Sequence, residues 1–327
     1  MKKINWGILG CGDVTEVKSG PAFNKVANSA IEAVMRRDAE KAADYAKRHG
    51  IAKWYSHADD LINDENISAI YVATPPAPHK DYAIQALKAG KHVYIEKPVT
   101  LTSAECEDII AVEKASRNKV TVAHYRRAQP FFIKLKELID QKTIGEIRLI
   151  DLKLFQKSGS AAIAKTEENW RVNPEISGGG LFFDLAPHQL DILIHIFGEP
   201  VKYHGFSKNQ TKKENVADLT VGQIVFKNDV IFNGVWCFNS LDEQELEQCE
   251  IIGTEGRITF SFFNANLSLT KNGKTVDFAF PAMEHVQQHM IEKTVNYFLG
   301  DAEENPCSLE DALMSMKVME AFSFLVD

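Results

Sequence analysis

The sequence predicts an α/β domain with a doubly wound parallel sheet, followed by an α+β domain with a large, mainly antiparallel open sheet. In the first third, short apolar strands alternate with amphipathic helices, a pattern typical of consecutive βαβ units. From Gly145 onward, strand patterns follow one another with few helical periods between them. The length of 327 residues also favours two domains, which we place at residues 1–123 and 124–327.

Composition and charge exclude several classes of protein. Apolar residues make up 45% of the chain and charged residues 25%, which are ordinary globular proportions. The net charge of -8 argues against nucleic acid or an anionic membrane as a partner. No apolar run reaches the roughly 18 residues of a membrane span. Five scattered cysteines form no C-x-x-C pair, so we expect a reduced, cytoplasmic protein without disulfides or a structural metal.

A glycine-rich turn follows the first predicted strand, residues 3–9. Gly10 permits a tight turn, and Gly12 lets the backbone approach a pyrophosphate at the start of the next helix. Thr15 stands where the third glycine of this motif usually falls, so we expect looser helix–strand packing. The pair Gly20-Pro21 is expected to interrupt or restart the helix. The residues predicted to bind a dinucleotide here are Gly10, Cys11, Gly12, Asp13 and Val14.

The second predicted strand, residues 30–35, is followed by residues that bear on the choice of cofactor. An acidic side chain at this point binds the ribose 2′-hydroxyl of NAD(H), whereas arginine suits the 2′-phosphate of NADP(H). Arg36 lies near the expected offset, and Arg37 is placed to stack on an adenine. The alternatives are that Asp38 is the ribose ligand, or that the arginines only pair with nearby carboxylates. We expect NADP(H), with NAD(H) as the second possibility.

A stiff loop follows the predicted strand at residues 69–73. Its three closely spaced prolines restrict the backbone, and a helix is predicted over residues 79–87. Such a loop at the carboxyl end of a strand can support the ribose and nicotinamide of a cofactor. His79 can alternatively make a local hydrogen bond at the start of the helix. The residues predicted to contact the cofactor here are Thr74, Pro75, Pro76 and His79.

The stretch Glu96-Lys97-Pro98 presents a lysine at the end of an apolar strand. Proline disfavours the helical conformation for the residue before it, so Lys97 is held at the strand end. Ligands bind outside the carboxyl ends of strands in open parallel sheets, where an ammonium can donate a proton or stabilise an oxyanion. The alternative is an ordinary surface lysine. A strand over residues 119–124 completes this domain.

The second domain is predicted from a series of strands and two flanking helices. Residues 230–238 are apolar on both alternating faces, so this strand needs cover on both sides, one side from a second subunit. Asn228-Asp229 and Asn272-Gly273 are predicted hairpin turns. The predicted strands are 147–155, 220–226, 230–238, 250–252 and 257–262, and the helices are 130–141 and 309–324.

Three consecutive glycines, Gly178-Gly179-Gly180, precede a helix that carries Asp184 and His188. At i, i+4 spacing both side chains share one helix face, where a carboxylate can orient an imidazole for proton transfer. The alternative is an ordinary intrahelical pair or cap. A metal site with His195 lacks a convincing third ligand, so we expect none.

These stretches together resemble the Gfo/Idh/MocA family, named after glucose-fructose oxidoreductase, inositol dehydrogenase and a rhizopine catabolism protein. The resemblance runs along essentially the whole chain and is most specific in the Glu-Lys-Pro stretch and in the glycine triplet with its Asp and His. The motifs that carry it are Gly10-Cys11-Gly12, Thr74-Pro75, Glu96-Lys97-Pro98, Tyr125-Arg126, Trp170-Arg171, Gly178-Gly179-Gly180 with Asp184 and His188, and Gly253-Thr254-Glu255-Gly256.

The resemblance implies a division of roles between the domains. Residues 1–123 would be a Rossmann domain that binds NAD(P), and residues 124–327 would bind substrate and form homodimers or homotetramers through the large sheet. Lys97 would polarise or protonate the substrate, His188 would be the general acid/base with Asp184 as its orienting partner, and Glu96 would set the cofactor loop. The substrate contacts would be Tyr125, Trp170, Arg171, Asp184 and His188.

The function expected from the residues and the resemblance is NADP(H)-dependent hydride transfer to or from a sugar or polyol. The aromatic side chains of Tyr125, Trp170, Phe182 and Phe183 would suit an aromatic dihydrodiol equally well, so a dihydrodiol dehydrogenase is one alternative. A second alternative is a dinucleotide-binding regulator without catalytic activity. A regulator has no need of Lys97, Asp184 and His188 together, so the enzyme is favoured.

Overall fold

The computed structural model describes residues 2–157, 169–264 and 266–326. Contacts divide the chain into two compact units. The first comprises Met1–Gln129 and Met283–Met314, and the second comprises Pro130–Ala282 and Ser315–Asp327. The first unit is therefore built from two separate stretches of chain. The predicted division into domains at residues 1–123 and 124–327 stays a prediction.

The first unit contains a six-stranded sheet in which every pair of neighbours is parallel, in the order β3-β2-β1-β4-β5-β6. This order confirms the predicted doubly wound sheet. The short strand β3 was not predicted because three residues carry too little periodicity. The strands are β1 (Ile4–Leu9), β2 (Ser29–Met35), β3 (Lys53–Tyr55), β4 (Ala69–Val72), β5 (His92–Ile95) and β6 (Val120–Val122).

Helices of the first unit begin and end at residues suited to those positions. The Asp38 side chain accepts a hydrogen bond from the Lys41 amide at one helix start, and Gly50 ends that helix with φ of 66°. The Thr102 hydroxyl oxygen caps another helix by accepting a hydrogen bond from the Glu105 amide. The helices are α1 (Gly20–Lys25), α2 (Ala39–His49), α3 (Ala58–Ile62), α4 (His79–Lys88), α5 (Ser103–Ala115) and α9 (Gln288–Leu299).

A cluster of aromatic side chains forms the centre of the first unit. Trp6 of β1 packs against Phe23 of α1 and Phe298 of α9, with ring centroids 4.8 and 5.8 Å apart. Tyr71 and Tyr94 on neighbouring strands lie 5.2 Å apart and are fully buried. The late chain segment that carries Phe298 therefore contributes directly to the core of this unit.

The second unit contains an eight-stranded sheet in the order β14-β13-β12-β11-β7-β10-β9-β8. Among the strands that the structure describes here, β7 and β10 form the one parallel pair, so the predicted mainly antiparallel sheet is confirmed. Asn272 and Gly273 join β13 to β14 with φ of 52° and 70°, as a type I′ turn requires. The strands are β7 (Ile147–Lys157), β8 (Pro200–Lys208), β9 (Leu219–Phe226), β10 (Ile231–Ser240), β11 (Leu246–Gly253), β12 (Gly256–Phe260), β13 (Asn266–Lys271) and β14 (Lys274–Ala279).

The two faces of this sheet differ in burial. On the inner face Trp236 of β10 packs against Phe182 and Phe322, with centroids 5.0 and 6.0 Å apart. On the outer face, alternate residues such as Ile231 and Val235 stay partly exposed. The remaining α-helices of the described residues are α6 (Pro130–Asp140), α7 (Pro174–Ser177), α8 (Gly180–Phe197) and α10 (Leu309–Phe322).

Within the described ranges, every helix is too short or too polar to serve as a bilayer crossing.

Candidate dinucleotide and catalytic site

Three strands of the first unit end side by side at the carboxyl edge of its sheet. Leu9 of β1 pairs with Val72 of β4, and Val72 pairs with Ile95 of β5. The chain segments that follow these residues begin with Gly10, Ala73 and Glu96. The strand order changes direction between β1 and β4, and such a switch point is where open α/β sheets bind ligands.

The glycine turn has the shape that a pyrophosphate site needs. Gly10 has φ of 91°, and a Cβ atom there would come within 2.8 Å of the Thr74 amide nitrogen. A Cβ atom at Gly12 would meet nothing closer than the Gly10 carbonyl oxygen at 4.0 Å, so the space above Gly12 is open to a ligand. Thr74 also has a buried Oγ1 atom with no hydrogen-bond partner. These features fit a bound dinucleotide.

Charge beside the glycine turn also fits an anionic ligand. Burial raises the pKa of the Cys11 thiol to about 11, so this side chain stays neutral. The Arg36 guanidinium lies at the turn itself, where Nη1 donates to the Cys11 carbonyl oxygen at 3.4 Å. The Asp38 carboxylate is engaged as the cap of α2 through Oδ1. Arg37, immediately before it, is exposed.

The missing third glycine is compensated five residues later. A π-helical segment over Val14–Lys18 precedes α1, so the helix restarts at Gly20 as the sequence predicted. A Cβ atom at Gly20 would overlap the Thr15 carbonyl oxygen and lie 2.6 Å from the Tyr45 hydroxyl. Tyr45 donates to that same carbonyl at 2.8 Å. The close approach that the third glycine normally permits is therefore provided at Gly20.

Glu96 is a buried carboxylate with donors on both of its oxygens. Tyr71 and Gln287 donate to Oε1 at 2.5 and 2.6 Å, and the Lys97 amide donates to Oε2 at 3.2 Å. The Lys97–Pro98 peptide bond is cis. The backbone of Lys97 is thus tied to a carboxylate that is itself fixed by two side chains of the core.

His79, predicted as a cofactor contact, is fully buried at the start of α4. Its Nε2 atom lies 2.8 Å from the Thr74 carbonyl oxygen, and its Nδ1 atom lies 3.1 Å from the carbonyl oxygen of Pro98. Burial lowers the pKa of this imidazole. The ring therefore joins the proline-rich loop to the loop that carries Lys97, and a direct role in binding stays a prediction.

The second unit carries its own group of predicted site residues on α8 and on the preceding 3₁₀ turn, Trp170–Val172. Arg171 donates from Nε to the Asp184 carboxylate at 2.8 Å, and both side chains are largely buried. The Arg171 guanidinium also lies over the Trp170 ring, 4.4 Å from its centroid. The structure thus joins three of the predicted substrate residues. The sequence had paired Asp184 only with His188.

His188 lies one turn after Asp184 on the same helix, and Pro187 is accommodated within that helix. The imidazole is 7% exposed and meets the Phe263 ring edge-to-face, with centroids 6.1 Å apart. Gly178 and Gly180 adopt φ of 83° and 71° ahead of the helix. In the first unit, the predicted substrate residue Tyr125 is buried in the 3₁₀ turn Tyr125–Ala128.

Sequence reasoning missed several residues that border these groups. Gln287 reaches Glu96 from the returning chain segment, and Phe263 contacts His188 from a loop after β12. None of these residues stands in a recognisable motif. The adjacent pair Phe262-Phe263 was the one feature of the sequence that could have drawn attention to the loop.

A glycine turn at a sheet switch point, with a lysine presented at the same edge, defines a dinucleotide-dependent oxidoreductase. A family model described as "Oxidoreductase family, NAD-binding Rossmann fold" matches residues 4–124. A second, described as "GFO/IDH/MocA C-terminal domain", matches residues 132–259. The chain therefore belongs to the GFO/IDH/MocA family of oxidoreductases, which confirms the resemblance.

Individual relatives agree with this assignment. "Oxidoreductase P35" of Formosa agariphila is 47% identical over 322 residues, which cover 98% of each chain. The 1,5-anhydro-D-fructose reductase of Ensifer adhaerens is 25% identical over 77% of this chain and 74% of that protein. Among solved structures, a levoglucosan dehydrogenase complexed with NADH and levoglucosan shares the fold with a TM-score of 0.83. Its identity is 22%, over 98% of this chain and 96% of that one.

Proposed function

We propose that the protein transfers hydride between NADP(H) and a CH–OH or carbonyl group of a sugar or polyol. The observation that carries this proposal is the alignment of β1, β4 and β5, which brings Gly10, Thr74 and Lys97 to the same edge of one sheet. The sugar-related names of two similar proteins support this substrate class.

The preference for NADP(H) rests on Arg36. Its guanidinium lies at the glycine turn, and a planar fork of donors suits a phosphate better than a ribose hydroxyl. The Asp38 oxygen that would bind a ribose hydroxyl in the alternative instead accepts the Lys41 amide. The cap involves one oxygen of the carboxylate, so it disfavours Asp38 as the ribose ligand and supports Arg36 for the 2′-substituent.

The protein contributes binding, orientation and a proton, whereas a bound nicotinamide dinucleotide supplies or accepts the hydride. In the reducing direction, the Lys97 ammonium is the proposed polarising or proton-donating group, and His188 is the proposed general acid/base. Asp184 and its partner Arg171 fix the turn of α8 that carries the imidazole. Glu96 fixes the backbone of Lys97 through its amide. Oxidation uses the same proton path in reverse.

We further propose that the protein forms a homodimer or homotetramer through the outer face of the eight-stranded sheet. Phe206 and Ile231 on this face are 49% and 46% exposed, and an apolar surface of this kind favours association. Light scattering on the wild type should show an even-numbered oligomer. Ile231→Lys should shift it toward the monomer, and a wild type that is monomeric at micromolar concentration would refute the idea.

A substrate screen tests the proposed activity. The purified protein, with NADP⁺ or NAD⁺, is offered aldoses, polyols and aromatic dihydrodiols, and absorbance at the nicotinamide band is followed. The expected result is turnover of at least one sugar or polyol, faster with NADP⁺. Turnover of dihydrodiols alone would change the substrate class. Tight dinucleotide binding without turnover of any compound would favour a regulator.

A further inference from the structure

Phe263 is a partly exposed aromatic residue that lies directly against the proposed acid/base. Its ring and that of His188 are 6.1 Å apart between centroids, at an interplanar angle of 82°. His188 itself is almost fully buried. Phe263 as a whole residue is only partly buried, so part of it remains accessible beside the imidazole to which the proposed reaction assigns a proton transfer.

The loop that carries Phe263 is anchored by one carboxylate. Glu247 of β11 accepts hydrogen bonds from the backbone amides of Phe262 and Phe263, at 2.8 and 3.3 Å. It also accepts from the Ser261 hydroxyl, whose oxygen in turn accepts the Asn264 amide at 2.9 Å. A loop without regular secondary structure is thus held at three consecutive residues by the Glu247 side chain, and the Ser261 hydroxyl holds the fourth, Asn264.

The buried neighbour of Phe263 fixes the loop from the other side. Phe262 is 2% exposed and stacks on Phe132 of α6, with centroids 5.6 Å apart and planes inclined by 28°. Since the ring of Phe262 points into the core and its amide is bound to Glu247, the next side chain has little freedom to move. The partly exposed position of Phe263 is consequently a built feature of the loop.

Strand register explains why this loop reaches α8. Glu247 pairs with Leu154 of β7, and Leu154 pairs with Trp236 of β10. Trp236 donates from Nε1 to Oε1 of Gln189, the residue next to His188, at 2.6 Å. The anchoring carboxylate and the helix turn that carries the imidazole therefore lie over the same row of the sheet.

We propose that Phe263, which is held beside His188 by its anchored loop, is a substrate-binding residue whose ring takes the apolar C–H face of a pyranose ring. Aromatic side chains that line ligand sites provide apolar contact area, whereas hydroxyl groups are read by polar neighbours. Glu247 is a positioning residue, since it acts only by holding the loop. This inference rests on the proposed function and narrows its substrate class to a cyclic sugar.

The test compares variants with the best pyranose substrate of the wild type. Phe263→Ala should raise KM for the pyranose about tenfold, which corresponds to about 1.4 kcal/mol. Phe263→Tyr should stay within about threefold, and NADPH affinity should not change in either variant. Phe280→Ala, which truncates another ring of the same unit that packs on Phe131, is the matched control and should leave KM unchanged.

A double-mutant cycle tests the role of Glu247. Glu247→Gln alone should raise the pyranose KM, but it should add nothing in a chain that already carries Phe263→Ala, because the ring it positions is gone. A purely structural role would make the two effects additive. Phe263→Leu serves as a second variant if the alanine variant does not fold.

The outcomes separate this inference from the proposed function. An active wild type whose pyranose KM is unaffected by Phe263→Ala would overturn the inference and leave the function intact. A wild type that reduces no sugar and oxidises no polyol would overturn both. If only aromatic dihydrodiols are turned over, the pyranose class is wrong, whatever Phe263→Ala does to their KM.

Discussion

Gln287 donates a hydrogen bond to the Glu96 carboxylate across 2.6 Å, although the two residues are 191 positions apart in the chain. Gln287 is fully buried and also accepts from the Tyr94 hydroxyl at 3.1 Å. Hydrogen bonds to a buried carboxylate contribute more to stability than bonds between neutral groups. The buried charge is already out of water, so removing a donor leaves it without a replacement for its lost solvation. The loop that bears Lys97 thus depends on a residue from the returning segment of the first unit.

Removing a donor from Glu96 is expected to lower stability. Gln287→Leu and Tyr71→Phe should each reduce the free energy of unfolding by roughly 1.5–3 kcal/mol, measured by urea titration. Tyr94→Phe is the matched control, since it deletes a hydroxyl of the same cluster that is bonded to a neutral amide. Its cost should be about 1 kcal/mol. Equal costs for all three variants would contradict a special role for the carboxylate.

Replacing either proposed proton-handling group should suppress turnover while NADPH still binds. Lys97→Ala and His188→Ala are each expected to lower kcat by on the order of 10²–10⁴, the usual contribution of general acid–base catalysis. Dinucleotide binding, followed by nicotinamide fluorescence, should change less than about threefold because the glycine turn is untouched. Lys88→Ala, at an exposed lysine at the end of α4, is the control. Substantial activity in both variants would refute these roles.

Two glycines near the cofactor turn should respond differently to alanine. At Gly12 the added Cβ meets only open space, so Gly12→Ala should fold normally but weaken NADPH binding at least tenfold by filling the pyrophosphate space. At Gly20 the added Cβ overlaps the Thr15 carbonyl oxygen, so Gly20→Ala should lower the urea midpoint. Reversed outcomes would show that Gly12 has a structural role and that Gly20 does not.

Charge reversal at Arg36 should change cofactor preference. Arg36→Asp is expected to lower the affinity for NADPH about 10- to 100-fold, which is the equivalent of one or two charge-assisted hydrogen bonds. The affinity for NADH should change far less. Both affinities can be obtained by fluorescence titration. Arg148→Asp, at an exposed position of β7, controls for net charge. A uniform loss for both cofactors would remove the argument for a 2′-phosphate.

His92 should make the fold sensitive to acid. Burial, with a smaller effect of the nearby Lys119 ammonium, lowers the pKa of His92 to about 4. The unfolded chain, with a pKa near 6.5, therefore binds a proton between pH 6.5 and 4 that the folded chain does not. The contribution of His92 to the free energy of unfolding is fully present above pH 6.5, and the free energy should fall by up to about 2 kcal/mol by pH 5. In the His92→Gln variant this pH-dependent loss should disappear. An NMR titration of His92 with a midpoint near 6.5 would contradict this.

Elements with strong local signals were predicted closely from the sequence. The helix predicted over residues 79–87 follows a proline-rich loop, and the structure places it at His79–Lys88, one residue longer at its end. The strands β8 and β14 were missed because their exposed residues include many polar side chains, which blur the alternation. The three-residue β3 and five-residue α3 are too short to show a period.

The site could be predicted only as far as its motifs extend. Gly10, Lys97, Arg171 and His188 stand in recognisable stretches, whereas Gln287 and Phe263 do not. Gln287 and Phe263 reach Glu96 and His188 through tertiary contacts that no local spacing encodes, and the pairing of Arg171 with Asp184 is of the same kind. The sequence therefore offered candidate groups for the chemistry, whose roles stay predictions, and the side chains that fix those groups required the structure.

Because the first unit consists of Met1–Gln129 and Met283–Met314, protein synthesis imposes a delay on its completion. At about 5–20 residues per second, a ribosome needs roughly 8–30 s to translate the intervening stretch before Gln287 emerges. During that interval the nascent sheet holds an ionisable side chain at Glu96 without its late donor. Translation speed through the middle of the message should consequently influence how much of the newly made chain reaches the native state.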